Sequence, residues 1–411
     1  MIDRKRKIVI LGSGFAALSI VKEIDTDFYN VDIVSPRNHF LFTPLLPSTT
    51  VGTIEFRSII EPIRTSRNDL QYYQAKCVSV SPEEKTITCE SVQGHQRFEL
   101  IYDYLVIAVG AVNNTFGIPG VMEHALFLKE LVDARAIRGK IIENFERAST
   151  PGLNDDERKR SLHFVVVGGG PTGVEFAAEL NDFIHEDLVR WYPNLIGEVQ
   201  ITLLEATKQI LSTFDSELGN YTMNLFKRGN IDIKTNSPVK EVKENMLVLQ
   251  DDSAIPYGLL VWSTGIGPTD LLQSLPFPRN RASRLITDDF LRITTTKNIY
   301  AAGDCATPLS QNLAATAQAA QQQGKYLARS LNNIAHGDKV SPFRYRNLGM
   351  LAYVGSRRAL ADLPNVKGHG FGAFLFWRSA YLTRLVSMKN KVLVLFDWIK
   401  ASIFGRDISS F

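Results

Sequence analysis

The chain has few cysteines, little net charge and no long apolar run, and each of these shortages excludes a class of protein. Its three cysteines, Cys77, Cys89 and Cys305, form neither a C-x-x-C pair nor a metal-ligand spacing. The seven histidines show no H-E-x-x-H motif, so we expect no metal site. A net charge of +3 does not suggest a nucleic-acid-binding protein. Because no apolar run of about 18 residues is present, we expect no transmembrane helix.

The size and the composition fit a folded protein with more than one domain. The 411 residues exceed one ordinary domain, and 45% of them are hydrophobic and 22% charged. The basic start, Arg4–Lys7, precedes four apolar residues and could be mistaken for a signal peptide. Since the apolar stretch is short and runs directly into Gly12, we interpret it as the first strand.

Two glycine-rich motifs each follow a short apolar run that is typical of a buried strand. The first, GSGFAA at residues 12–17, follows Ile8–Leu11, and the second, GGGPTG at residues 168–173, follows Phe164–Val167. Such a turn needs glycine because the backbone approaches a pyrophosphate and the next helix points its N-terminus at the negative charge. One motif alone is weak, because glycines also occur in ordinary tight turns. Two motifs in this context predict two dinucleotides in one chain, with electrons passing between them.

The residues at the ends of the second strands differ between the two units. Glu205 closes a predicted strand from Val199, where a carboxylate accepts both ribose hydroxyls and repels a 2′-phosphate, so NADH is favoured over NADPH. Lys208 weakens this prediction, and a surface glutamate at a strand end is the alternative. In the first unit the acid is missing, and Ser35 and Arg37 occupy its region, where a hydroxyl could hold the ribose.

A glycine and an aspartate, Gly303 and Asp304, follow the apolar strand Ile299–Ala301 and precede a helical pattern over about residues 311–331. An aspartate there can accept hydrogen bonds from the ribityl hydroxyls of a flavin, and glycine lets the backbone come close. A turn aspartate or a helix cap is the alternative.

Together these motifs resemble the flavoprotein reductases that contain two dinucleotide-binding domains. In that family the first unit holds FAD, the second holds NAD(P)H, and the Gly-Asp motif completes the flavin site; Tyr104–Gly110 and Val261–Gly265 match the two linker strands. The resemblance implies an α/β fold with two Rossmann-like domains and a C-terminal module. The expected domains are an FAD-binding domain at 1–118 and 297–342, an NADH-binding domain at 119–296, and a membrane-anchoring and dimerisation module at 343–411.

The loop after the first unit contains no cysteine. Disulfide reductases of this family need a redox cysteine pair beside the flavin, and sulfide:quinone reductases also need cysteines there. The loop here, residues 37–47, reads RNHFLFTPLLP. We therefore expect electrons to leave FAD for something other than a protein disulfide.

Three further stretches are similar to type II NADH:quinone oxidoreductases. Residues 40–63 resemble the flavin-contacting segment of that family, residues 317–324 match its A-Q-x-A-x-Q-x-G quinone-site helix, and residues 376–407 resemble the membrane-docking tail of its fungal mitochondrial members. The resemblance implies FAD-dependent oxidation of NADH and two-electron reduction of a membrane quinone, ubiquinone or menaquinone, without proton pumping. It places the enzyme on the mitochondrial inner membrane or on the cytoplasmic face of a bacterial membrane.

The resemblance also implies roles for individual residues. Gln318 and Gln322, which share a helix face, and Tyr381 would line the quinone pocket, and Glu175 would be a proton or hydrogen-bond partner near the nicotinamide. A solvated glutamine face and a plain interface tyrosine are the alternatives. The FAD residues would be Gly12, Gly14, Phe15, Ala16, Ser35, Arg37, Thr43, Pro44, Leu45, Gly110, Gly303, Asp304, Ala317 and Gln318, and the NADH residues Gly168, Gly170, Pro171, Thr172, Gly173, Glu175, Glu205, Thr264 and Gly265.

Two departures from the family pattern affect these expectations. Gln321 stands where some relatives have histidine, and because glutamine does not titrate, the proton donor to the quinone is left open. The fungal members carry a mitochondrial presequence that this chain lacks, so we expect a mature form or a prokaryotic enzyme.

The C-terminal region has the composition of helices that lie in a membrane interface. Apolar side chains recur at helical spacing from Phe371 to Met388 and again within Val392–Phe404, and residues 369–411 contain six basic and two acidic side chains. The alternative is a helix packed on its own core or on a twin subunit, and we expect a homodimer.

Two rival functions remain at this point. A soluble NADH-dependent reductase could pass electrons to an iron–sulfur protein, although the apolar tail argues against it. A non-catalytic, NADH-responsive flavoprotein could instead act by binding a partner.

Overall fold

The computed structural model describes residues 4–409, which divide into two compact units. Unit 1 contains the chain up to Leu41, Ile60–Val112 and Ile266–Arg346, and unit 2 contains Phe42–Ile59, Asn113–Gly265 and the chain from Asn347 onward. The α-helices are α1 Phe15–Glu23, α2 Leu46–Thr49, α3 Val121–His124, α4 Leu131–Ala148, α5 Asp155–Ser161, α6 Pro171–Phe183, α7 Val189–Trp191, α8 Ser216–Arg228, α9 Asp270–Ser274, α10 Ala317–His336, α11 Phe371–Arg384 and α12 Met388–Phe404.

The strands are short, and most belong to small sheets. They are β1 Arg6–Leu11, β2 Tyr29–Val34, β3 His39–Leu41, β4 Ile60–Pro62, β5 Gln71–Tyr73, β6 Ala75–Ser81, β7 Thr86–Ser91, β8 Arg97–Ile101, β9 Tyr104–Ile107, β10 Val112–Asn113, β11 Leu126–Phe127, β12 His163–Val167, β13 Gln200–Leu204, β14 Ile231–Lys234, β15 Val239–Lys243, β16 Met246–Leu249, β17 Ala254–Pro256, β18 Leu259–Trp262, β19 Ile266–Gly267, β20 Leu285–Thr287, β21 Ile299–Ala301, β22 Ala306–Pro308, β23 Met350–Gly355, β24 Arg358–Asp362 and β25 Lys367–Gly370.

Unit 1 is built on a five-stranded parallel sheet with the order β21-β9-β1-β2-β5. Its central strand β1 is buried from Ile8 to Leu11, as expected for a parallel strand that is covered on both faces. The helices α1 and α10 pack closely because Gly324 has no side chain; a Cβ there would lie 2.3 Å from the Ala16 carbonyl oxygen. The first glycine-rich motif joins β1 to α1 at the carboxyl edge of this sheet.

Unit 2 repeats the plan with a second parallel sheet, ordered β11-β18-β12-β13-β14. The second glycine-rich motif joins its central strand β12 to α6. A π-helical turn at Ile184–Leu188 continues α6 and leads into α7. The antiparallel hairpins β23–β25 also belong to this unit, and β23 packs against α6. After β25 the chain forms α11, which packs on β24, and then α12, which packs on the 3-10 turn Phe56–Ile59.

Most sequence-predicted elements are present, but three were wrong in extent. The sequence of Phe56–Ile63 has an apolar pattern that predicts a helix, but the structure has a 3-10 turn that ends at Ile59, followed by β4. Pro62 explains this, because the residue before a proline is disfavoured in helical backbone. The apolar pattern from Phe371 to Met388 is not one helix: α11 ends at Arg384, and the Ser387 side chain caps the start of α12 by accepting a hydrogen bond from the main-chain N–H of Asn390.

The helix expected from about residue 311 begins later, at Ala317. Thr316 sets this start, because its hydroxyl accepts a hydrogen bond from the N–H of Ala319 at 3.2 Å. Within residues 4–409, no helix is both long and apolar enough to cross a bilayer.

Candidate functional site

The first glycine-rich loop has the geometry of a phosphate cradle. Gly12 has a φ of +118°, and a Cβ there would lie 2.2 Å from the Ala108 carbonyl oxygen, so only glycine fits. Gly14 caps the N-terminus of α1 without a side-chain hydrogen bond, and a Cβ at Gly14 would meet no atom within 4 Å. The first N–H groups of α1 therefore face open space, which suits the pyrophosphate of a dinucleotide.

Ser35 and Arg37 lie beside this loop, as the sequence predicted for the residues that replace the usual acid. The Ser35 hydroxyl donates to Ser13 Oγ at 3.0 Å, and Arg37 Nε donates to the carbonyl oxygen of His39 at 3.0 Å and to Ser13 Oγ at 3.4 Å. The buried hydroxyl pair thus links the end of β2 to the glycine-rich loop.

The Gly-Asp motif of unit 1 is held by a residue that the sequence reasoning missed. Gly303 has a φ of +81°, and its N–H donates to Gln323 Oε1 at 2.7 Å, inside the unit. Gln323 is almost fully buried in α10. In the sequence, Gln323 is marked only by its position beside Gln322. A run of glutamines does not show which of them is buried and which is half-buried.

The two glutamines predicted for the quinone site both lie in α10 and are half-buried. Gln322 already makes two hydrogen bonds to the main chain of Arg346: its Nε2 donates to the carbonyl oxygen at 2.8 Å, and its Oε1 accepts from the N–H at 2.9 Å. This pairing fixes the chain that follows α10. The quinone contacts of Gln318 and Gln322 remain predictions.

The remaining flavin-site predictions fall in both units. In unit 1, Gly110 has a φ of +69° and a Cβ there would meet nothing within 4 Å, whereas Phe15 packs edge-on against Phe40. In unit 2, Thr43–Leu45 form a 3-10 turn in which the side chain of Leu45 is buried.

The second glycine-rich loop repeats the cradle in unit 2. Gly168 has a φ of +117° and lies against Ser263 and Thr264, and a Cβ at Gly173 would be 2.0 Å from the Gly168 carbonyl oxygen. A Cβ at Gly170, the N-cap of the 13-residue helix α6, would meet nothing within 4 Å. The open N-terminus of α6 is therefore a second place for a pyrophosphate.

Glu205 lies at this loop, as predicted, and braces it. Its Oε2 accepts the N–H of Gly169 at 2.7 Å, and its Oε1 accepts the N–H of Thr207 at 2.8 Å. A carboxylate has about four acceptor positions, so lone pairs remain for ribose hydroxyls. The last two predicted NADH residues, Thr264 and Gly265, follow β18, and Gly265 has a φ of +72°.

The predicted Glu175, on α6, and Tyr381, on α11, both hydrogen-bond to the main chain of the same strand, β23. Glu175 Oε1 accepts the N–H of Tyr353 at 3.0 Å, and the Tyr381 hydroxyl donates to the Leu351 carbonyl oxygen at 3.3 Å. Burial raises the pKa of the Glu175 carboxyl to about 8, with a further contribution from the Glu179 charge. Burial also raises the pKa of the Tyr381 phenol well above its ordinary value. At neutral pH both groups therefore hold protons.

Glu175 is the first of a row of buried acids, and sequence reasoning missed the others. Glu179 accepts hydrogen bonds from Ser48 at 2.6 Å and Thr53 at 2.7 Å, and Asp182 accepts from the Tyr353 hydroxyl and the Ser356 N–H. Burial raises the pKa of Asp182 to about 7. The spacing 175, 179, 182 places the three on one helical face, a signal that was visible in the sequence.

The row ends at Asp187, which pairs with Arg406 from the end of the chain. Arg406 Nη1 donates to Asp187 Oδ2 at 2.6 Å and to Glu186 Oε2 at 3.0 Å, and its Nε donates to Thr53 Oγ1 at 2.9 Å. Burial opposes the positive charge, but the surrounding carboxylates outweigh it and raise the pKa of Arg406. The acids are thus partly compensated by one buried guanidinium.

No group of three or more His, Cys, Asp or Glu side chains within residues 4–409 is arranged to hold a metal ion. The cysteines Cys77, Cys89 and Cys305 are free thiols.

Comparison with known proteins identifies the family. Residues 6–324 match the model of the pyridine nucleotide-disulphide oxidoreductases, and residues 347–407 match the NDH2 C-terminal domain. The chain belongs to the NDH2 family. A probable NADH dehydrogenase of Dictyostelium discoideum is 49% identical over 98% of this chain and 91% of its own length. The external NADH-ubiquinone oxidoreductase 2 of Saccharomyces cerevisiae mitochondria is 42% identical over 99% of this chain and 82% of its own.

Solved structures agree with this assignment. The NDH2 of Plasmodium falciparum in complex with NADH has a TM-score of 0.94 and 31% identity, covering 99% of this chain and 100% of that one. The sulfide:quinone oxidoreductase of Aquifex aeolicus, at 18% identity and a TM-score of 0.73, shares the fold. The predicted α/β class, the Rossmann-like domains and the resemblance to the type II family are confirmed.

Proposed function

We propose that this chain is an NADH:quinone oxidoreductase with FAD as its cofactor, which reduces a membrane quinone by two electrons without pumping protons. One observation carries the proposal: two strand-to-helix loops, each with an open helix N-terminus, occur in a chain that matches NADH–ubiquinone oxidoreductases over nearly its full length. The functional domains proposed are 1–118 with 297–342 for FAD, 119–296 for NADH, and 343–411 for membrane and dimer contacts.

The first cradle fits FAD. Gly12 and Gly14 leave room for the pyrophosphate at α1, and Gly303, whose N–H donates to Gln323, has a positive φ next to Asp304. FAD, when bound, supplies the redox chemistry, accepting a hydride from NADH and passing two electrons to the quinone. The contribution of the chain is to position the reactants and exclude water.

The second cradle fits NADH. Glu205 is fixed by two main-chain N–H groups at the edge of the loop, where its charge opposes a 2′-phosphate. This arrangement supports NADH rather than NADPH as the electron donor.

Quinone reduction consumes two protons, and Glu175 is the proposed group that holds one of them. The residue is 7% exposed, and its carboxyl has a pKa of about 8, so it is mostly protonated at neutral pH and can still release its proton. Tyr381 of α11, whose hydroxyl donates to the main chain of β23, is the proposed hydrogen-bond donor to the quinone, and Gln318 and Gln322 are the proposed amide contacts.

The C-terminal helices support attachment to a membrane surface. The ten exposed large apolar residues that α11 and α12 present are Phe371, Leu375, Phe376, Met388, Val392, Leu395, Phe396, Ile399, Ile403 and Phe404. Burying each fully is worth roughly 1.5–3 kcal/mol, whereas each basic residue near anionic lipid contributes about 1 kcal/mol. We therefore propose a peripheral protein held mainly by apolar insertion, at the mitochondrial inner membrane or the cytoplasmic face of a bacterial membrane, and a homodimer.

An anaerobic flavin assay tests the proposed function. Mixing the purified protein with NADH should bleach the visible absorption of its flavin, and adding ubiquinone or menaquinone should restore it. Purified, folded protein without any flavin would overturn the proposal. So would a reduced flavin that quinones do not reoxidise but an iron–sulfur protein does.

A further inference from the structure

A groove of about 340 Å³ runs between α11 and α12, within unit 2. This space holds on the order of ten waters, which is far more than a single small ion needs. Its lining combines apolar walls with a few polar groups: Arg378, Ser379, Leu382, Leu395, Trp398, Ile399, Ser402 and Ile403. Such a lining suits a molecule that has one polar end and a long apolar part.

Arg378 is the only charged group in this lining. The guanidinium carbon lies 4.6 Å from the ring centre of Phe374 and 4.7 Å from that of Trp398, so the group is fixed between two aromatic faces. Its buried Nε finds no hydrogen-bond partner within residues 4–409. A guanidinium has five N–H donors in a planar fork, and here the fork is positioned while its Nε–H lacks an acceptor.

The acidic side chains of the region are directed elsewhere. The single acid of α11 and α12 is Asp397, which is buried on the other side of α12, where it accepts the Ser58 hydroxyl and the Glu55 N–H. A neighbouring cavity of about 240 Å³ also touches Arg378 but is lined by Glu179 and Glu186, which disfavour an anion. The groove between the helices is therefore the side on which Arg378 can meet an anion.

We propose that this groove binds one anionic phospholipid, with its phosphate on Arg378 and an acyl chain along Leu395, Ile399 and Ile403. This proposal rests on the proposed attachment to a membrane. Arginine pairs with phosphate through two parallel hydrogen bonds, and the exposed Ser402 hydroxyl can donate a third. A free phosphate ion would leave the apolar walls wet, whereas an acyl chain covers them, and so the lipid is the occupant that satisfies both parts of the lining.

Vesicle binding by the flavin-loaded, full-length protein tests the lipid site. The probes are vesicles of phosphatidylcholine with brominated acyl chains, and vesicles of ordinary phosphatidylcholine that also contain phosphatidylglycerol with brominated acyl chains. Brominated chains quench a tryptophan that they touch. We expect quenching of Trp398 by the brominated phosphatidylglycerol, and loss of that quenching in Trp398→Phe. Arg378→Gln should weaken binding to the anionic vesicles about tenfold more than Arg384→Gln, an exposed arginine of the same helix, because only Arg378 has a positioned fork.

Several outcomes separate this site from its alternatives. Equal losses of affinity for anionic vesicles in the two arginine variants would mean general charge attraction. Equal quenching of Trp398 by brominated phosphatidylcholine and by brominated phosphatidylglycerol would mean simple insertion. Either result overturns the proposal. The same is true if Arg378→Gln changes only the oligomeric state, or if millimolar inorganic phosphate displaces the lipid completely. If Arg378→Gln does not fold, Arg378→Lys replaces it, because lysine keeps the charge but not the fork. This variant should bind anionic vesicles more weakly than the wild type does. Wild-type affinity for these vesicles would contradict the proposal.

Turnover with a water-soluble quinone in detergent keeps the two proposals separate. Both arginine variants should oxidise NADH at the wild-type rate, because Arg378 is not a proposed contact of NADH, FAD or quinone. A wild-type protein that fails to reduce quinone would end the proposed function without deciding whether the groove binds lipid.

Discussion

The main-chain N–H of Tyr353 donates to the buried carboxyl of Glu175 at 3.0 Å, while the hydroxyl of the same tyrosine donates to Asp182. One residue of β23 therefore holds two carboxyl groups that lie two turns apart on α6. Because burial raises the pKa of Glu175 to about 8 and of Asp182 to about 7, both groups can change charge near neutral pH.

Glu175→Gln should slow quinone reduction and leave flavin reduction by NADH unchanged. Glutamine keeps an acceptor for the Tyr353 N–H but cannot deliver a proton, and loss of a general acid typically costs about 100-fold. Stopped-flow measurement of the two half-reactions separates these steps. The matched control is Glu186→Gln, at a half-exposed acid on the same helical run. An equal effect on flavin reduction would remove Glu175 from proton delivery.

Protein stability should fall as the pH rises from about 5 to about 9. Glu175 and Asp182 have folded-state pKa values above their ordinary values, so the folded state binds more protons than the unfolded state in this window. Their contribution is therefore most favourable at low pH and is lost as the pH passes the folded-state pKa values of about 7 and 8. The double variant Glu175→Gln, Asp182→Asn should show a flatter dependence of Tm on pH, and an unchanged slope would contradict this.

Glu205→Arg should shift the coenzyme preference towards NADPH. It removes the charge that opposes a 2′-phosphate and adds one that attracts it, so we expect the ratio of kcat/KM for NADH over NADPH to fall at least about tenfold. Because Glu205 also braces Gly169 and Thr207, Glu205→Gln serves as the control. Unchanged selectivity in Glu205→Arg, with activity retained, would place the ribose elsewhere.

Gln323→Ala should weaken the retention of FAD and lower the Tm. The variant leaves the buried N–H of Gly303 without its acceptor, which costs roughly 1–3 kcal/mol. Flavin release during dilution and thermal unfolding both report the effect. Gln321→Ala, at the half-buried position two residues earlier, is the control and should behave like the wild type.

High salt should not release the protein from membranes, whereas detergent should. Apolar insertion contributes more binding free energy than the attraction of basic residues to anionic lipid. About 1 M NaCl shortens the screening length to about 3 Å, but it leaves most of the binding free energy in place. The double variant Phe396→Asp, Ile403→Asp places charges on the exposed face of α12 and should abolish sedimentation with vesicles while the flavin is retained. Complete release by salt alone would show that insertion is not the main force.

The parts of the fold that follow from local rules were predictable. Gly12 and Gly168 could be recognised because a positive φ and a close approach to a neighbouring strand admit only glycine, and the motif has glycine at both positions. The start of α10 at Ala317 and the break between α11 and α12 were mispredicted because hydrophobic periodicity does not report where Thr316 or Ser387 caps a helix.

The buried acids depend on partners that are distant in the chain. Glu179 is tolerated in the core because Ser48 and Thr53 donate to it, and Asp187 because Arg406 reaches it from the C-terminus. Spacing alone shows that such acids share a face, but not that they are buried or which groups satisfy them. The role of Gln323 was hidden for the same reason, since the sequence does not show which glutamine of the run faces Gly303.

The π-helical turn at Ile184–Leu188 fixes the number of residues between α6 and α7. It lets Asp187 face inward towards Arg406 while the neighbouring Glu186 stays half-exposed. Removing one residue here would restore regular α-helix and change which side chains of the segment face inward, so that Asp187 would no longer point at the Arg406 guanidinium. In natural sequences of similar length, we therefore expect substitutions in this segment but no insertions or deletions.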